Sequence, residues 1–131
     1  MILYPSCDTE YGRNLTSRIK ILTSSNRWWK VKIVSKLNNE VNSDPILNSW
    51  QLCLYDNNTF VSKTKEKIIQ GKWWIDDDFN LLILEKDTPN EMRFRLGVFD
   101  NCGLMLDINT EEENLSKSMI FFLERNDLYQ N

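Results

Sequence analysis

From Asn48 to Glu85 the chain alternates apolar and polar residues in runs too short for helices, separated by turns rich in Asp and Asn. Trp50, Leu52 and Leu54 share one parity; Ser49, Gln51, Cys53 and Tyr55 share the other, the period of a half-buried strand. Asp56-Asn57-Asn58 then turns the chain, and Phe60 opens the next extended run. Ile69, Gly71, Trp73 and Ile75 alternate with Ile68, Gln70, Lys72 and Trp74. Asp76-Asp77-Asp78 and Asn80 make a second turn before Leu81–Leu84. Consecutive alternating runs joined by tight polar turns make an antiparallel meander.

The flanks extend the pattern. Residues 1–12 show no periodicity and read as an arm. Between Asn14 and Ser25, Leu15, Ile19 and Leu22 recur at helical spacing, so a short amphipathic helix is predicted there, its stripe covering one end of the sheet structure. Arg27–Lys36 alternates, with Trp29, Val31 and Ile33 on one face and Trp28, Lys30, Lys32 and Val34 on the other. Residues 38–45 form a polar loop. After a turn at 86–90, Met92, Phe94, Leu96 and Val98 alternate with Arg93, Arg95, Gly97 and Phe99. Asp100–Gly103 turns again, and Leu104, Leu106 and Ile108 follow on one face. Glu111-Glu112-Glu113 marks a solvated acidic loop. Ser118–Arg125 satisfies both a strand (Met119, Phe121, Leu123) and a helix (Leu115, Met119, Phe122, Leu123); the β-prone Ile-Phe-Phe favours the strand.

Eight strands result, at 28–36, 47–55, 59–63, 67–75, 80–86, 91–99, 103–109 and 117–124, in simple sequential order. An open sheet with this much apolar surface would leave sticky edges, and eight strands are enough to close. The predicted fold is all-β, an eight-stranded up-and-down antiparallel barrel with a short N-terminal helix. The 131 residues form one domain, with 1–26 as arm and helix and 27–125 as barrel.

Composition narrows the chemistry. The chain has no histidine, which excludes a His-based triad or His-ligated metal. Alanine is also absent while Asn, Ile and Lys abound, the coding bias of an AT-rich genome such as that of a plastid or a reduced bacterium. Three cysteines without metal-like spacing indicate no disulfide framework and a reducing compartment. With neither a secretory leader nor a run long enough to span a bilayer, the expected location is the cytoplasm or the plastid stroma. Net charge is −3 but uneven: residues 1–72 carry 11 Lys/Arg against 6 Asp/Glu, and residues 73–131 carry 5 against 13. That asymmetry can orient a charged partner but is too mixed for nucleic-acid binding.

With Trp29 in the first strand, W-x-L-x-L-x-x-N-N-x-F over Trp50–Phe60, and G-K-W-W-I-D-D-D over Gly71–Asp78 followed by Leu82 and Leu84, the chain resembles the lipocalin-like (calycin) superfamily across about residues 27–125. The resemblance implies a small barrel that binds an apolar or pigment-like ligand, or that supports assembly of a larger complex by docking a protein partner. A purely structural barrel filled with side chains would act through its surface alone. The alternative within the fold is an enzyme, a chromophore (bilin) lyase of a photosynthetic organism acting on a tetrapyrrole.

Candidate sites follow from parity. Arg93 and Arg95 project together from one strand, either into the cavity, where they would clamp a carboxylate, or outward against neighbouring acids. Trp50 and Trp73 belong with the inward aliphatic face, as core or as cavity lining. Trp28 and Trp74 fall on the other face among Lys30, Lys32 and Lys72, either as partner-binding anchors or as rings covered by a flanking segment. Asp76–Asp78 reads as a solvated turn before a cation site, and Cys102 as a turn residue before a reactive thiol. No catalytic or metal-binding residue is assigned.

Overall fold

The computed structural model describes residues 15–23, 28–36, 39–40, 46–76, 81–99, 102–108 and 119–125. One α-helix, α1 (Leu15–Thr23), precedes the strands β1 (Trp29–Lys36), β2 (Asn39–Glu40), β3 (Gln51–Leu54), β4 (Thr59–Lys63), β5 (Ile68–Ile75), β6 (Leu81–Leu84), β7 (Met92–Phe99), β8 (Gly103–Asp107) and β9 (Met119–Glu124). β2 is a two-residue extension on the far end of β1. The other eight strands pair antiparallel in sequence order, and β9 pairs back onto β1 from Lys30↔Glu124 to Lys36↔Met119, closing the barrel.

Closure explains the residue pattern. An eight-stranded barrel is just wide enough for its inward side chains to fill it. Here Trp29, Leu52, Leu54, Phe60, Trp73, Leu82, Leu84, Phe94, Leu106, Phe121 and Leu123 are buried in one cluster. Trp50 belongs to the same cluster, stacked on Phe94 at 5.5 Å and edge-on to Phe121 at 5.1 Å. The 55–58 turn owes its geometry to its asparagines. Asn58 takes a left-handed φ of 67°, which Asn tolerates better than most residues, and Asn57 Oδ1 accepts hydrogen bonds from the Thr59 N–H and hydroxyl.

Three local expectations change. Leu47–Ser49 is a 3-10 turn and not the start of β3; Ser49 donates both its N–H and its hydroxyl to Ile46 O, the side-chain bond that competes with a strand ladder. A register shift between Val31 and Ile33 brings Val34 into the core, fully buried opposite Phe121, instead of the outer face that strict alternation gives it. A second shift between Leu96 and Phe99 pairs Phe99 with Leu104 and packs it against the core, again against strict alternation. Each extra residue in one strand of a pair reverses parity beyond it. Within Ser118–Arg125 the strand alternative holds, over Met119–Glu124, and the predicted helix spans Leu15–Thr23.

The two ends of the barrel differ. At the end where β1 begins and β9 finishes, α1 lies across the opening. Leu22 is wholly buried there and Ile19 packs against the core. Arg125, 1% exposed, places its guanidinium 3.9 Å from the Trp29 ring centre and donates to the Ile21 and Leu22 carbonyls of the last helical turn. The Trp29 indole N–H donates to Leu22 O as well, at 3.1 Å. A cation and an N–H donor on carbonyls that a helix end leaves unpaired fasten α1 as a plug.

Candidate functional site

Among the described residues, the connections 64–67 and 85–91 border the opposite end. A pocket of about 310 Å³ opens there, lined by Phe60 and Ser62 of β4, Ile69 of β5, Leu84 of β6 and Met92 of β7, with Lys67, Glu85 and Asn90 at its rim. The register makes these lining positions inward: Phe60 pairs with Gly71, Ser62 with Ile69 and Leu84 with Met92. The Ser62 hydroxyl accepts the Trp50 indole N–H at 2.8 Å, so the pocket wall is tied to the central aromatic stack. Ile46, Ile68, Met92 and Ile108, all exposed, sit at strand ends or connections on this same side.

Glu85 is the unusual residue of the rim. It follows the last residue of β6, adopts φ 56°, and is neither Asn, Asp nor Gly, so its left-handed backbone costs on the order of 1–2 kcal/mol. The surrounding loop holds it there. Its N–H donates to Lys72 O, and its carbonyl accepts from both the N–H and the hydroxyl of Thr88. The Asp87 N–H donates to Glu91 Oε1, and Arg93 Nε donates to Glu91 Oε2. The Asp87 bond first, and Arg93 second, hold the Glu91 carboxyl below its ordinary pKa of 4.5. The result is that the Glu85 side chain bends inward over Gly71. A Cβ at Gly71 would meet Glu85 Oε1 at 1.7 Å, so the carboxylate occupies the space that glycine leaves vacant.

The predicted site residues distribute differently. Arg93 and Arg95 do not line the pocket. They stand on the outer wall, Arg93 paired with Glu91 at 2.9 Å and Arg95 with the buried Asp107 at 3.0 Å, the outward alternative of the two that alternation allowed. Trp50 and Trp73 are inward and buried but do not line the pocket either; the Trp73 indole N–H donates to Tyr55 O at 2.8 Å, toward the plugged end. Trp74 projects outward, 51% exposed, with Lys86 Nζ 4.2 Å from its ring centre. Trp28 is half-buried ahead of β1. Because β1 and β5 are separated by β3 and β4, about 14 Å of sheet, Trp28 with Lys30 and Trp74 with Lys72 form two places and not one patch.

Lys30 borders a second groove, of about 380 Å³, where β1 parts from β3 after only two paired residues; Lys63, Lys65 and Ser49 share it. A third, on the outer wall, holds about 390 Å³ between Phe99, Met105 and Phe122. Both are more open than the mouth pocket, whose walls are the barrel itself. Asp76 accepts the Leu81 N–H and so serves its hairpin, while Asp77 and Asp78 lie outside the described residues. Among the described residues no group of three acidic or cysteine side chains is placed to hold a metal. Cys102 is disulfide-bonded, contrary to the expectation of a chain without disulfides, and is not an available thiol. Cys53 is a buried free thiol whose hydrogen bond to Tyr55 raises that phenol above its ordinary 10.0. Among the described residues no helix is long and apolar enough to cross a membrane.

Glu85 is a site residue that alternation alone misses. Alternation sets Gly71 in the row with Ile69 and Trp73; that Glu85 fills the space beside it depends on a backbone reversal no periodicity records. No protein-family model matches the sequence, and no curated protein matches it.

Proposed function

We infer that this chain is a non-catalytic binding module, a lipocalin-like barrel whose mouth takes up a small apolar group. The observation that carries the reading is the asymmetry of the two ends. One is sealed by α1, Trp29 and Arg125, while the other keeps a pocket with Phe60, Ile69, Leu84 and Met92 on its walls. Pockets that bind small molecules are concave, mostly apolar and carry a few polar groups, with volumes from about 300 Å³ upward. The mouth pocket is at the small end of that range, which suits a single ring or a short branched chain. Exposed Ile68 and Met92 beside the opening make an apolar approach. Its one hydroxyl, on Ser62, accepts the Trp50 indole N–H, so it helps to hold the pocket wall in shape.

Calorimetric titration with propylbenzene tests this. Saturable binding at one site is expected in the wild type, and Ile69→Trp, which fills the pocket from its wall, should abolish it without lowering the melting temperature by more than a few degrees. Undetectable binding in the wild type, or equal binding in the filled variant, overturns the reading.

A further inference from the structure

We propose that the mouth pocket selects an apolar ligand carrying a cationic or strongly N–H-donating group, and that the Glu85 carboxylate receives that group; this rests on the pocket being a binding site at all. Three independent features converge on the carboxylate. It is half-buried at the rim of an apolar cavity, and among the described residues it has no ion pair and no hydrogen bond of its own. A carboxylate carries about four acceptor sites, and those of Glu85 are open to water at the mouth, so a donor arriving with the ligand can take that water's place.

Its placement is also enforced. A glutamate holds a left-handed backbone while Lys72 O and Thr88 grip its main chain. Non-glycine residues persist in that conformation where the surroundings over-determine it, and such positions cluster at active sites, ligand clamps and switch regions. Finally, the neighbouring strand makes room. Gly71 lies on the inward row between Ile69 and Trp73, and any side chain there would displace the carboxylate from the cavity. A rim glutamate with no task would point to solvent, as the other exposed acids of this connection can.

The remaining polar groups set the rest of the preference. Lys67, exposed at the outer lip, makes no ion pair with Glu85, so among the described residues no side chain of the rim competes with a ligand for the carboxylate. Asn90 offers an amide on the same rim. A ligand entering apolar end first, with an ammonium, amidinium or pyrrole-type N–H trailing, places its donor beside Glu85. A ligand ending in a carboxylate meets repulsion.

The test compares 2-phenylethylammonium with its neutral isostere propylbenzene, by calorimetry at pH 7 on the intact chain. The wild type should bind the cation about tenfold more tightly, the margin expected of a charge-assisted contact. Glu85→Gln should bind the two alike, and Gly71→Ala should lose most of the preference while still binding propylbenzene. In the wild type the margin should shrink as salt rises. Equal affinities in the wild type overturn the assignment of Glu85 but leave the pocket standing, since propylbenzene still binds. A preference that survives in both variants, or one unmoved by salt, overturns it as well. Failure of both probes to bind overturns the pocket reading and this proposal together.

Discussion

Glu85 and Trp74 show how little a residue's type says about its task until its backbone is known. Glu85 is held where glycine would be at ease. Replacing it with Gly removes roughly 1–2 kcal/mol of backbone strain at the expense of roughly 0.5–1 kcal/mol of chain entropy. Glu85→Gly should therefore leave thermal stability unchanged or slightly raised; a drop of more than about 1 kcal/mol in urea melts would show that the carboxylate is a structural prop. The tryptophan pair Trp73 and Trp74 makes the opposite comparison. Trp73 is 4% exposed and hydrogen-bonded to Tyr55, so Trp73→Ala should cost about 3–5 kcal/mol. Trp74 has only the wall of the barrel and Lys86 beneath it, and Trp74→Ala should cost under about 1 kcal/mol. Their inside–outside assignment was legible in the alternation of β5. The partners of the outward ring were not, because Lys86 reaches it from a turn outside the pattern.

At the scale of elements, two attachments decide the architecture. The first joins α1 to the barrel through one side chain from the other end of the chain. Removing the charged donor from two helix carbonyls and from the Trp29 face should make Arg125→Ala lose about 2–4 kcal/mol. Amide exchange should rise in α1 before it rises in β3–β8; uniform exchange across both would contradict the plug. Arg125 follows the last strand in sequence and carries no periodic signal, so the sequence located the helix without revealing what holds it. The second attachment is the 85–91 connection. Glu91 has its carboxyl pKa lowered by the Asp87 N–H and Arg93, so it contributes stability at pH above about 4.5 that is lost as the pH falls through its lower folded value. Acid should loosen the loop first, seen as a lower protection factor at the Asp87 amide once the intrinsic pH dependence of exchange is divided out. Glu91→Gln should lower that protection at pH 7 and flatten its dependence on pH. The strand pattern was readable because parity repeats. Its two failures, at Val34 and Phe99, fall where a register shift inserts a residue, and such shifts answer to barrel curvature and not to local composition.

Among the described residues the barrel has one end covered by α1 and a pocket at the other. Closure through β1–β9 pairs the first long strand with the last described one, and Trp50, Phe94 and Phe121 pack together beside the mouth pocket, joined to its wall through Ser62. The barrel itself was predictable from the count and spacing of alternating runs. The location of the pocket was not, since it depends on which inward residues are small or bent aside, Gly71, Ser62 and Glu85 above all. Methyl-resolved NMR during a propylbenzene titration tests this division most directly. The methyl signals of Ile69, Leu84 and Met92 should shift and saturate together, while those of Ile19 and Leu22, beside Trp29 and Arg125, stay fixed. Shifts concentrated at Ile19 and Leu22, or spread evenly over the core, would contradict a barrel that is plugged at one end and binds at the other.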